Sequence, residues 1–221
     1  MFNLMRKDFL VLKKTKALYM LLALAIFSGI MLQSVTYYFL WGMVMSVYFY
    51  VVYTGAYDNK YDSEKIFNSL PIDKGNIVLS KYLSAVACLL IAIAVSFATT
   101  IIIKLLTGSA IILNIAQIGT TLLLTGVYLS VYFPIYFKVG YMNSRWANIA
   151  GLIFMFSFSS IISNNSPEVQ SFFAKYLGFF VNAIGGNSGV DKGIVIVAVA
   201  LVMLIASTLI SLRIYSNKEF S

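Results

Sequence analysis

From Ala17 to Tyr57 the chain carries no charged residue, and this run decides what the molecule can fold into. A bilayer core is crossed by about 20 helical residues, so the run is long enough for two spans and a tight turn. Its most polar point, Gln33-Ser34-Val35-Thr36, places one span over 17–34 and the next over 36–56. Backbone groups in lipid must be satisfied within their own segment, so such spans are helices. Composition agrees: 60% of the 221 residues are hydrophobic and 11% are charged, whereas soluble domains average about 25% charged. The sequence therefore predicts an all-α integral membrane protein, one transmembrane domain over 1–221.

The next segment, 57–82, is a charged island holding Asp58, Lys60, Asp62, Glu64, Lys65, Asp73, Lys74 and Lys81. At roughly 3 kcal/mol for each charge at mid-bilayer, burying it in lipid would cost on the order of 20 kcal/mol. It is expected to lie in water. Further apolar runs predict spans over 83–103, 111–137, 146–163 and 193–212, with a polar loop over 138–145 and a tail over 213–221. Pro134 is expected to kink the fourth span. Before the first span, residues 1–16 repeat Phe2, Met5, Phe9 and Leu12 at helical spacing among Arg6, Lys7, Lys13, Lys14 and Lys16. That pattern predicts a basic amphipathic helix lying on the inner membrane surface. Residues 166–186 form a second amphipathic pattern, capped by Ser166 and charged at Glu168 and Lys175. It is expected at the outer interface or dipping partway in. With the N-terminus inside, thirteen of the sixteen Lys and Arg residues fall on inner segments. The positive-inside bias thus predicts six spans, both termini cytoplasmic and a cytoplasmic island.

Much familiar chemistry is missing. There is no GxxxxGK[ST] phosphate loop and no GxSxG, HExxH or CxxC motif. The chain has no histidine and a single cysteine, Cys88, in an apolar run. It is expected to be no enzyme by itself and to bind no cofactor or metal. Its net charge of +8 collects at span ends, which fits membrane lipid as a partner and not nucleic acid. All eight carboxylates fall outside the predicted span cores, which argues against an ion-driven carrier. Hydroxyls and amides inside spans are read as helix-packing groups. Within the island, Asp62 to Leu70 can form a short helix ended by Pro71, with Ile66, Phe67 and Leu70 on one face. Such a helix can lie on lipid or fill a groove in a partner.

The stretch Asn68-Ser69-Leu70-Pro71-Ile72-Asp73-Lys74-Gly75-Asn76-Ile77-Val78-Leu79-Ser80-Lys81-Tyr82-Leu83 resembles the loop between spans two and three of ABC-2-type permeases. Phe133-Pro134-Ile135-Tyr136-Phe137-Lys138-Val139-Gly140-Tyr141, followed by Arg145, is similar to the segment closing span four of that family. The small size is most similar to the permease subunits of phenol-soluble-modulin exporters. The resemblance implies a six-helix, type V exporter-like subunit with an elbow helix, a coupling helix between spans two and three, and re-entrant helices before span six. It implies cytoplasmic ATP-binding subunits that hold ATP and magnesium, and a second permease, either another copy or a sister subunit. By position, Asp62, Glu64, Ile66, Phe67, Leu70 and Pro71 would contact the ATPase, with Gly140 and Arg145 at a second inner contact. Spans two and five usually face the dimer centre, so Trp41, Tyr48, Tyr53, Asn148 and Ser157 are candidates for the substrate pathway. The function implied is ATP-driven export of a hydrophobic or amphipathic substrate, such as a modulin or antimicrobial peptide, across a bacterial plasma membrane. The alternatives are an ion-driven carrier or channel, and a membrane scaffold without transport.

Overall fold

The computed structural model describes residues 2–14, 16–31, 36–63, 66, 73–107, 115–163 and 189–217. Among these, seven helices carry the fold: α1 (Phe2–Lys14), α2 (Ala17–Met31), α3 (Thr36–Lys60), α4 (Lys74–Thr107), α5 (Ile115–Val139), α6 (Tyr141–Ser163) and α7 (Gly189–Ser216). Three stretches of the described residues are long and apolar enough to cross a membrane: Lys74–Ile103, Thr121–Val139 and Val197–Ser216, with mean hydropathies of 2.7, 1.5 and 2.3. Ala17–Ser28 is a shorter apolar helix. The amphipathic pattern over 166–186 lies outside the described residues.

The bundle closes around α3, which touches α2, α4, α5 and α6, while α7 packs most extensively on α5. A core of Val47, Tyr50, Val51, Val78, Tyr82, Leu129, Tyr132 and Phe133 joins α3, α4 and α5. Small residues let α2 approach α3: a Cβ added at Gly42 would stand 2.4 Å from the Cβ of Ser28. The outward surface is oily, with Leu201, Val202, Ile205, Leu209 and Ile210 of α7 all exposed, as a lipid-facing helix requires. Among the described residues, span hydroxyls bond either within their own helix or across to a neighbour. Ser46 and Thr54 donate back to carbonyls of their own helix. Ser96 donates to the Ala25 carbonyl of α2 at 2.7 Å. Tyr82 joins Ser207 and Ser211 of α7 at 2.6 and 2.8 Å.

Three expectations change. First, the helices overrun the expected span bounds 36–56 and 83–103, since α3 runs on to Lys60 and α4 starts at Lys74. Lys74–Ile103 is 30 residues long, about 45 Å at 1.5 Å per residue against a hydrocarbon core of about 30 Å. The surplus length carries the charged turns beyond the core without breaking the helix. Second, 138–145 is no loop but a one-residue corner at Gly140, whose φ of +80° only glycine adopts freely. Pro134 lies inside the continuous α5 that precedes it. Third, α1 does not turn its apolar side to lipid. It packs on α2, α3 and α4, burying Asp8, Val11 and Leu12 while Phe2 stays exposed.

Candidate functional site

Four charges meet where α1 lies against the end of α3 and the start of α4. On α1, helical spacing sets Asp8 within the arc of Leu4, Met5, Val11 and Leu12, so packing that arc inward takes Asp8 with it. Lys81 has the same position on α4, among Ile77, Val78 and Ala85, all buried. Asp58 is one turn beyond the buried Thr54 on α3. The Asp58 carboxylate accepts from Lys7 at 2.6 Å and pairs with Lys81 at 2.5 Å. The Lys81 ammonium also donates to Asp8 at 2.9 Å. The second oxygen of Asp8 lies within reach of the hydroxyls of Tyr50 and Ser84, at 3.3 and 3.2 Å. Two cations and two anions make the cluster neutral. An unpaired buried charge costs several kcal/mol, so neutrality and close pairing are what allow it to leave water.

This corrects the expectation that the whole island lies in water. Asp58 and Lys81 are buried among protein groups, 8% and 6% exposed. Asp8 lies on α1, outside the expected span cores, yet its carboxylate reaches Tyr50 of α3 and Ser84 of α4. Burial alone would raise the Asp58 carboxyl, but the charges of Lys81 and Lys7 outweigh it and hold the pKa below the usual carboxylate value.

Beside the cluster opens a cleft of about 80 Å³, lined by Asp58, Asn59, Asp62, Ser63, Ile77, Lys81, Tyr136, Phe137, Gly140, Tyr141 and Tyr215. It brings together two positions that are far apart in sequence and were both selected from it, Asp62 and Gly140. Asp62 adopts a left-handed φ of 47°, turning the chain just past the end of α3. Its carbonyl then accepts from the Ile66 amide at 3.3 Å. Ile66 is 55% exposed. Arg145 is exposed on α6 and does not line the cleft, but its charge opposes the rise that burial imposes on the Tyr141 phenol pKa. Glu64, Phe67, Leu70 and Pro71 lie outside the described residues.

The pathway candidates divide. Asn148 of α6 is buried and accepts a hydrogen bond from Tyr128, and Tyr128 packs against Tyr48 with ring centroids 6.2 Å apart. Tyr48 and Asn148 thus belong to one cluster. Tyr53 points instead to Met20 of α2, with its hydroxyl 3.8 Å from the sulfur. Trp41 is on α3 and Ser157 on α6, with side chains outside the described residues. Among the described residues no three acidic or cysteine side chains converge as a metal site would require.

The ion pairs thus tie α1, the end of α3 and the start of α4 together at this end of the bundle. A family model described as "ABC-2 family transporter protein" matches residues 3–216 of the chain. No curated protein and no solved structure matches it.

Proposed function

The chain belongs to the ABC-2 transporter family, and from that premise we propose that it is the permease subunit through which a separate ATP-binding subunit exports a hydrophobic or amphipathic substrate. A peptide of the phenol-soluble-modulin or antimicrobial type is the sharpest candidate. The chain crosses the bacterial plasma membrane six times with both termini in the cytoplasm. It works with a second permease, a copy or a sister subunit. ATP and magnesium reside on the partner, and this chain performs no catalysis of its own.

One observation carries the reading: the cleft unites Asp62 and Ser63 with Gly140 and Tyr141 beside the buried ion cluster. In the proposed cycle the ATPase grips the helix around Ile66, Phe67 and Leu70, with Asp62, Glu64 and Pro71 setting its ends. Gly140 and Arg145 make a second contact. Closure of the ATPase shifts this helix. The paired charges then transmit the shift to α3, α4 and α1 as one unit, because separating them would expose uncompensated charge. The aromatic surface at Trp41, Tyr48 and Tyr53, with Asn148 and Ser157, offers an amphipathic substrate stacking area and a few hydrogen bonds.

Asp8 and Asp58 also supply what an ion-driven carrier needs, carboxylates within the protein. That second reading is disfavoured because both are already neutralised by lysines. Reconstitution with the ATP-binding subunit decides between them. Uptake of a labelled amphipathic peptide into inverted vesicles should require ATP. Equal uptake driven by a proton or sodium gradient, without the ATPase, would establish the carrier instead.

A further inference from the structure

The packing of α1 leaves one of its faces unexplained. Asp8, Val11 and Leu12 turn into the bundle. At 100° per residue the opposite face carries Phe2, Asn3, Arg6, Leu10, Lys13 and Lys14, and all six are exposed. Phe2 is 79% and Leu10 54% exposed, so basic and apolar side chains alternate on one outward surface. Lys16 follows, also exposed. Its left-handed φ of 58° makes the turn into α2. The helix it leads into is apolar, and its Tyr19, Met20, Ile26, Phe27 and Ile30 are exposed.

We propose that this outward face of α1 binds the headgroups of anionic phospholipids. Two features select lipid over an acidic protein. The basic residues sit at the mouth of an apolar, outward-facing helix, where the headgroup layer of a bilayer must begin. Phe2 and Leu10 stand among the cations, as in helices that lie at a membrane surface with basic residues on the phosphates and apolar ones among the upper acyl chains. Lys7, on the edge of this face, is already committed to Asp58 at 2.6 Å. Lipid bound here therefore holds the same helix that the ion cluster locks to the base of the 61–73 segment. The inference needs a membrane but no ATPase.

The test is lipid selection by the intact chain. Wild type, Arg6→Gln/Lys13→Gln/Lys14→Gln/Lys16→Gln and a control, Lys60→Gln/Lys138→Gln/Arg213→Gln, are equilibrated in equal mixtures of phosphatidylglycerol and phosphatidylcholine. Lipid retained after delipidation is then measured by mass spectrometry. Wild type and control should retain phosphatidylglycerol in excess by roughly fivefold, with the excess falling at high salt, and the quadruple variant should lose it. Should the quadruple variant fail to fold, Lys13→Gln/Lys14→Gln is measured in its place and should lose about half the excess. Undiminished selection in either variant overturns the proposal, and so does equal loss in the control, which would reduce the effect to net charge. A quadruple variant that keeps its lipid but no longer binds an ATP-binding subunit would give the face to a protein partner.

Discussion

Lys81 is gripped by two carboxylates on two other helices, Asp58 at 2.5 Å and Asp8 at 2.9 Å. Removing one member of such a buried set strands the others, at a cost of about 3–5 kcal/mol. Lys81→Met should therefore lower the unfolding midpoint in detergent sharply, whereas Lys60→Met, at an exposed position, should leave it nearly unchanged. Lys81→Met/Asp58→Asn should cost less than the sum of the two single changes. The Asp58 carboxyl is held below the ordinary carboxylate value. Its contribution is therefore complete above the unfolded-state pKa of about 4 and disappears as pH falls through the lower folded value. Wild type and Asp58→Asn should differ most at neutral pH and converge below about pH 4, which a thermal unfolding series in acidic buffers checks. These partners carried a signal in the sequence. Asp8 interrupts the arc of Leu4, Met5, Val11 and Leu12, and Lys81 stands between Ile77, Val78 and Ala85. A charge centred on an apolar helical face marks a buried pair, but the pattern does not name the partner, because Lys7, Asp58 and Lys81 are joined only by tertiary packing.

Helix identity was legible because lipid enforces it: each long apolar run became a helix, α2 to α7. Ends were harder to read, for a physical reason. A charge count places the exit from the membrane, but a helix can continue past that exit, as α3 does to Lys60 and α4 does from Lys74. The corner between α5 and α6 escaped notice for the opposite reason, because one residue suffices. Gly140 turns the chain at φ +80°, and its amide donates to the Tyr136 carbonyl at 2.9 Å while its own carbonyl accepts from Ser144 at 3.1 Å. A Cβ added there would meet nothing within 4 Å. Gly140→Ala should therefore cost only the conformational term, about 1–2 kcal/mol, and coupling should weaken with little loss of expression. The check is ATP hydrolysis per substrate moved, which should rise in the variant. The amphipathic side of α1 was legible as a pattern, yet its direction was not. Apolar spacing fits a bundle as well as a bilayer, and only Asp8's demand for Lys81 turns that side inward.

For the whole molecule, family and general architecture were within reach of the sequence, since the match spans residues 3–216. What lay beyond it was how the segments around Asp62 and Gly140 meet. Asp62 and Gly140 share one cleft because α3, α4 and α5 pack together at that end, and no local pattern encodes that meeting. The account places this cleft and the 61–73 segment on the cytoplasmic side. A cysteine introduced at Lys65, with Cys88 replaced by serine, should resist a membrane-impermeant maleimide in intact cells and react after permeabilisation. The central claim, that a separate ATPase works this chain through the 61–73 segment, is tested most directly by co-purification. Wild type and Phe67→Asp/Leu70→Asp are expressed with the ATP-binding subunit, and the complex is quantified after extraction from membranes. The account predicts that the variant inserts normally but recovers at most about a tenth of the ATPase, since two charges in an apolar contact cost well over 1.4 kcal/mol. A variant that retains the ATPase at wild-type stoichiometry would contradict it.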